Sequence, residues 1–67
     1  MNGKVKIDDV ALEQLLMIRD SGATNMFDFH TVQRLAYEND LFELVTWMEE
    51  HKSEYGALIM YGAEGDD

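Results

Sequence analysis

The chain has 67 residues, 46% of them hydrophobic, with no cysteine and a formal net charge of −9. This length allows one small domain, the apolar content excludes a disordered chain, and the lack of cysteine excludes disulfides and thiolate metal sites. No stretch approaches the roughly 18–20 apolar residues of a membrane span or contains the apolar segment of a signal peptide, so we expect a cytoplasmic protein.

The charge is distributed unevenly along the chain. Residues 1–37 contain five acidic and four basic residues, a net charge of −1, whereas residues 38–67 contain nine acidic residues and one basic residue, a net charge of −8. Surface charge decides which partners a protein attracts. The acidic second half argues against a nucleic-acid ligand and favours a basic protein partner.

The N-terminal part predicts an optional short strand and then a helix. Residues 4–7 alternate lysine with an apolar residue, as strands do, and residues 56–61 are a candidate pairing partner. Residues 56–61 are equally compatible with a helix. The first helix is predicted to begin at Asp8 or Asp9 and to end at a left-handed Gly22. Its expected apolar face comprises Val10, Leu12, Leu15, Leu16 and Ile18.

The second helix follows a connection over residues 22–27. Asp28 is its predicted N-cap, Phe27 and Val32 have the spacing of a hydrophobic staple, and the helix is expected to reach about Glu38. Two interpretations of the connection are open. It could present Asn25, Met26 and Phe27 to a partner, or it could be a rigid link between helices, which we favour because each residue then has a structural role.

The third and fourth helices are predicted from shorter signals. Asp40 with Glu43 three residues later resembles a capping box, which would start the third helix. His51 and Lys52 would lie in its last turn, where positive charge is favourable. Ser53 would open a short fourth helix that ends at Gly62. The buried stripe of the third helix comprises Leu41, Leu44, Val45 and Met48.

These elements predict an all-α fold, a compact bundle of three to four short helices with a short N-terminal β-strand as an option. We expect one domain over residues 1–62 and a flexible acidic tail over residues 63–67, since the tail has no apolar residue beyond an alanine.

One flank of the third helix is the first candidate site. At about 100° per residue, Asp40, Glu43, Trp47 and Glu50 fall on the same side. A tryptophan with carboxylates around it is typical of an interface anchor with a charged rim, although the indole could instead cover the edge of the core. The carboxylates could also imitate the phosphates of DNA. The predicted partner-binding residues are Glu38, Asp40, Glu43, Trp47, Glu50 and Glu54.

Other chemistries have less support. The acidic third helix cannot be the reading helix of a helix-turn-helix, so direct nucleic-acid binding is not expected. No catalytic motif is present, and we expect neither an enzyme nor a bound cofactor. A divalent metal such as zinc could be held if the pair Asp28 and His30 met the pair His51 and Glu54 in space.

A distinctive run over residues 18–28, Ile-Arg-Asp-Ser-Gly-Ala-Thr-Asn-Met-Phe-Asp, precedes Val-Gln-Arg-Leu-Ala at residues 32–36. With Trp47, Tyr55 and Ile59, these segments resemble the domain-of-unknown-function family 5049 of low-GC Gram-positive bacteria and their phages. The resemblance covers roughly residues 5–62. It implies an accessory protein of a phage or mobile element in a bacterial host cell, and no catalytic residues can be transferred from it.

We therefore expect a small acidic inhibitor that docks its C-terminal half on a basic surface of a host nucleic-acid enzyme, as small acidic anti-CRISPR proteins do. Its size and charge are similar to theirs. One alternative is a structural or assembly module that works as a homodimer, because a small core leaves apolar surface over. A second alternative is a small metal-stabilised domain.

Overall fold

The computed structural model describes residues 4–64, and the described chain forms four helices, as predicted. In this part of the chain no helix is both long enough and apolar enough to cross a membrane. The predicted all-α class is confirmed. The helices are α1 (Asp9–Ser21), α2 (Phe29–Glu38), α3 (Phe42–Glu50) and α4 (Lys52–Tyr61).

Helix α1 begins and ends at the predicted residues. The carboxylate of Asp8 accepts hydrogen bonds from the backbone N–H groups of Val10 at 3.1 Å and Ala11 at 3.3 Å, which satisfies two donors of the first turn. Gly22 ends the helix in the left-handed conformation, with φ 66°. The predicted apolar face needs one correction, since Val10 is 47% exposed and Ala11 is buried in its place.

Helix α2 also begins at its predicted cap. The two oxygens of the Asp28 carboxylate accept from the Thr31 backbone N–H at 3.2 Å and from the Thr31 hydroxyl at 2.8 Å. The predicted staple is wrong, because Phe27 is 59% exposed. The connection is otherwise a structured link. Asn25 accepts from the N–H of Phe27 at 2.9 Å, and the Met26 carbonyl accepts from the Tyr55 hydroxyl at 2.6 Å.

The capping box predicted for α3 is wrong. Leu41 occupies the N-cap position and makes no side-chain cap, while Asp40 lies in the preceding turn with φ 62°. The first turn is capped from another helix, since the N–H of Leu44 donates to Oε1 of Gln14 in α1 at 2.9 Å. Because Gln14 is distant from α3 in the sequence, this capping contact leaves no local pattern there.

Helix α4 starts one residue earlier than predicted, at Lys52, so this lysine is not in the last turn of α3. His51 is the single boundary residue between the two helices and accepts the N–H of Glu54 on its carbonyl at 3.0 Å. Residues 56–61 are helical, which answers the question that the sequence left open. Gly62 ends the helix as predicted.

The N-terminal segment pairs with the residues that follow α4, and not with residues 56–61 as proposed from the sequence. Val5 and Ala63 form an isolated parallel bridge, in which the N–H of Val5 donates to the Gly62 carbonyl at 3.0 Å and the N–H of Glu64 donates to the Val5 carbonyl at 2.9 Å. Ala63 is only 1% exposed. The predicted tail therefore includes two residues that are held in place, and residues 65–67 lie outside the described part of the chain.

All four helices and the N-terminal segment contribute to one hydrophobic core. The largest side chains with no solvent exposure are Leu44 and Met48 of α3 and Val32 of α2, so α3 lies at the centre of the packing. In a chain this small, most of the favourable free energy of folding depends on this one cluster. The core residues are Val5, Ile7, Ala11, Leu15, Ile18, Val32, Ala36, Leu44, Trp47, Met48, Tyr55, Leu58 and Ala63.

Candidate functional site

Helix α3 has a buried face and an exposed face of opposite character. Leu44, Trp47 and Met48 point into the core. The exposed positions of α3 recur with the spacing that places side chains on one side of a helix, and three of them are glutamates. We call this surface the acidic face; it comprises Phe42, Glu43, Thr46, Glu49 and Glu50.

Trp47 is not part of this surface, which corrects its predicted role as the anchor of a partner. Its side chain is 6% exposed, and its indole stacks on the imidazole of His51 with ring centroids 4.7 Å apart and an interplanar angle of 16°. The Nδ1–H of His51 donates to the Trp47 carbonyl at 2.9 Å. Ile7 of the N-terminal segment and Trp47 line one cleft, and both belong to the hydrophobic core. Trp47 closes the edge of the core.

An aromatic pair at the N-terminal end of the acidic face takes the position that we expected of Trp47. Tyr37 of α2 and Phe42 of α3 meet edge to face, with ring centroids 5.7 Å apart. They are 64% and 49% exposed. Exposed aromatic rings of this kind are frequent anchors of protein interfaces. Phe42 lies outside the predicted buried stripe, and that position was the signal in the sequence that could have identified it.

Neighbouring helices hold two carboxylates of the acidic face in place. The Nε2 amide of Gln14 donates to Glu43 at 3.1 Å, and that of Gln33 donates to Glu49 at 3.1 Å. The Gln33 hydrogen bond, followed by the hydrogen bond and charge of Lys52, lowers the pKa of Glu49 below its ordinary value. The Nζ of Lys52 lies 3.4 Å from Oε1 of Glu49, so the negative charge of the acidic face is partly compensated at one end.

The other predicted acids are exposed but do not form one compact cluster. Glu38 ends α2, Asp40 lies in the turn before α3, and Glu54 lies in the first turn of α4, where it lines the same cleft as Lys6. Two of these carboxylates precede α3 in the chain and one follows it, and α3 itself is about 14 Å long. The structure thus supports an extended acidic surface rather than a single binding pocket.

The predicted metal ligands do not come together. Within residues 4–64, no three His, Asp or Glu side chains are grouped so that they could hold a metal ion. Asp28 caps α2, His30 packs edge-on against Phe29, and His51 stacks on Trp47. The structure therefore does not bring these four candidate ligands together in the part of the chain that it describes.

A groove lies beside the turn between α2 and α3, and its lining residues are not those of the acidic face. Its volume is about 300 Å³, and it separates the C-terminal part of α1 from the end of α2. Leu41 lines the groove, and the next residue, Phe42, starts the acidic face. The groove and the acidic face therefore adjoin at this turn. The lining residues are Met17, Ile18, Ser21, Ala23, Leu35, Asn39 and Leu41.

The sequence model of the family described as "Domain of unknown function (DUF5049)" matches residues 7–63. The chain belongs to the DUF5049 family. This match includes all four helices and every residue of the acidic face, and it confirms the resemblance seen in the sequence. A search of curated proteins and a search of solved structures found no match.

Proposed function

We propose that this DUF5049 protein is a non-enzymatic binding protein that docks its acidic face on a basic surface of another protein. The observation that carries the proposal is the exposed Tyr37–Phe42 pair, which lies at one end of a row of exposed carboxylates. Protein interfaces combine aromatic anchors with a polar rim in this manner.

The carboxylates and the aromatic rings of this surface would contribute to binding in different ways. Carboxylates attract a basic partner over several ångströms and raise the rate of encounter, whereas the burial of aromatic rings slows dissociation. Glu43 and Glu49 are already oriented by Gln14 and Gln33, so less side-chain entropy is lost when they pair with a partner.

The partner that we propose is an enzyme that binds nucleic acid, because such proteins present basic surfaces to the phosphate backbone. Docking would cover that surface and exclude the nucleic acid. The protein would then be a phage or mobile-element inhibitor of a host enzyme such as a defence nuclease, acting in the cytoplasm. Imitation of DNA phosphates by the carboxylates is a narrower form of the same proposal.

A homodimeric assembly module is the second candidate, and helix α4 carries the observation that favours it. Met60 and Tyr61 are 63% and 54% exposed, so α4 leaves apolar surface uncovered. Two copies that each carry a net charge of −9 repel one another, which weakens this candidate. Light scattering that gives the mass of one chain across the micromolar range would eliminate it.

The main test starts with affinity capture from a bacterial lysate and mass spectrometry, followed by measured affinities for each purified partner. The variant Glu43→Lys plus Glu50→Lys reverses two charges of the acidic face. We expect it to weaken binding about tenfold, and we expect the affinity of the unmodified chain to fall as salt is added.

Asp9→Lys plus Glu64→Lys is the matched control, since it makes the same change in net charge at two exposed positions outside the acidic face. It should change the affinity about twofold or less. If all captured partners bind both double variants equally, and binding persists in high salt, the proposal is wrong.

A further inference from the structure

The groove beside the α2–α3 turn is suited to an apolar side chain. The Ser21 hydroxyl and the Asn39 side-chain NH2 group in its lining already have local partners. The Ser21 hydroxyl donates to the Ile18 carbonyl at 2.6 Å and accepts the N–H of Ala23 at 3.3 Å, and the Asn39 amide donates to the Leu35 carbonyl at 2.8 Å. The remaining walls are hydrophobic. The volume of about 300 Å³ equals that of about ten water molecules, enough for one large side chain.

Exposed acidic residues are close in the chain to the residues that line the groove. On α1, Glu13 and Asp20 lie four residues before and three residues after Met17, and both are exposed. On the opposite wall, Glu38 and Asp40 flank Asn39 and are exposed as well. Arg19 compensates part of this charge through its ion pair with Asp20 at 3.6 Å, and Arg34 precedes Glu38 by one turn of α2. Among the exposed charged residues that are close to the groove lining along α1 and α2, four carboxylates therefore outnumber two guanidinium groups.

We propose that this groove receives one large apolar side chain from a linear, basic segment of the partner protein. Lysine and arginine residues on either side of that apolar residue would pair with Glu38 and Asp40. The inference rests on the proposed function and deepens it, because it states what the partner must present. Leu41 in the groove and Phe42 on the acidic face are consecutive, so one partner can contact both surfaces.

Charge complementarity selects this occupant over a second copy of the chain. A second copy would bring its own net charge of −9 against the same carboxylates. A basic segment would neutralise them while its apolar residue leaves water. Burial of a leucine side chain is expected to tighten binding about tenfold or more relative to alanine.

The probe for the test is a short fluorescein-labelled peptide that has one leucine flanked on each side by arginine and lysine. A second peptide replaces the leucine by alanine. Fluorescence anisotropy at low salt should show that the leucine peptide binds the chain about tenfold more tightly. Amide NMR spectra should change at Ala23, Asn39 and Leu41 when the leucine peptide is added, and change little along α4.

Met17→Lys makes one wall of the groove polar and should remove the preference for leucine. Met60→Lys is the matched control, since Met17 and Met60 are 60% and 63% exposed and the charge change is identical. It should leave the preference intact. Circular dichroism of both variants shows whether they keep the fold, which is expected because both methionines are exposed.

The outcomes separate this inference from the proposed function. Equal affinities of the two peptides, or a leucine preference that persists in Met17→Lys, would show that the groove does not receive the apolar side chain. If the two peptides bind with equal affinity but binding is lost in Glu43→Lys plus Glu50→Lys, the acidic face is supported as a binding site and the groove is not. If the leucine preference depends on Met17 but the double charge reversal does not change binding, the groove is supported as a binding site and the proposed role of the acidic face is wrong. A dimer that Met17→Lys dissociates would identify a second copy as the occupant and overturn the proposal.

Discussion

The first two helices and the last two begin in different ways. Asp8 and Asp28 cap α1 and α2 with their own carboxylates, within three residues of the donors that they satisfy. Helices α3 and α4 have no side-chain cap from the residue that precedes them. The first turn of α3 depends instead on Gln14, which lies in α1.

The N-terminal half is thus specified by local signals, and the acidic half is positioned by contacts with the N-terminal half. The helix that carries the acidic face is also the helix that contributes Leu44 and Met48 to the centre of the core. A change in the core or in α1 should therefore reach the candidate binding surface, although neither is part of it.

The largest expected effect comes from Leu44→Ala, which tests whether α3 depends on packing. Leu44 has no exposed surface, and its truncation should cost about 2–5 kcal/mol of unfolding free energy. A domain of this size rarely has more than about 3–5 kcal/mol in total, so we expect most molecules to unfold well below the melting temperature of the original chain. Urea denaturation followed by circular dichroism measures the loss. Val45→Ala, at a half-buried position of the same helix, should cost less.

Gln14→Ala tests the comparison directly. It leaves the N–H of Leu44 without its acceptor in a partly buried place, and we expect a loss of about 1–2 kcal/mol. Glu13→Ala at the exposed neighbouring position is the control and should have little effect. In Gln14→Ala, the backbone amides should exchange their hydrogens faster at the start of α3 than at the start of α1. Equal stabilities of the two variants would show that α3 does not depend on Gln14.

Tyr55→Phe tests the contact between α4 and the connection before α2. The variant loses the hydrogen bond to the Met26 carbonyl, and we expect a loss of about 1 kcal/mol. Burial, with a smaller contribution from the charge of Asp28, raises the pKa of Tyr55 to about 12 from its ordinary value of 10.0. Because the neutral phenol is favoured in the folded state, the stabilisation is complete below pH 10 and is lost as the pH rises toward 12. Unfolding curves measured across this range should show a smaller pH dependence for Tyr55→Phe.

The smallest effect is expected at Asp28, where the cap is local and exposed. The hydroxyl and then the N–H of Thr31 lower the pKa of this carboxylate below its ordinary value of 3.8. The stabilisation from the ionised form is therefore present above that pH and lost as the pH falls below it. Thr31→Val should raise the pKa of Asp28, as measured by NMR titration of the carboxyl carbon. An unchanged pKa would show that the Thr31 hydroxyl has no influence.

The helices were predictable where the chain carries its own signals. Asp8, Gly22, Asp28 and Gly62 each act on backbone groups a few residues away, so the sequence contains the whole interaction. The capping box at Asp40 failed for the opposite reason. The helix begins after Leu41, a distant glutamine accepts the first-turn N–H of Leu44, and Asp40 has a left-handed backbone conformation.

The acidic face was half predictable. The exposure of Glu43 and Glu50 follows from helical periodicity, which places them away from Leu44 and Met48. Periodicity cannot show that Ile7 and Trp47 line one cleft and belong to the same core, because the two residues are far apart in sequence. Nor could it show that Tyr37 and Phe42 meet across the turn between two helices.

The bridge between Val5 and Ala63 makes the described backbone almost a closed ring. A short glycine linker from Glu64 to Lys4 would complete that ring, and new ends could be opened between the exposed residues Gly22 and Ala23. The circular permutant should keep the four-helix fold, while its ends would lie at the mouth of the groove lined by Ala23. A peptide sequence appended there would be delivered directly to the groove. The rearranged gene thus provides a way to tether candidate ligands one at a time.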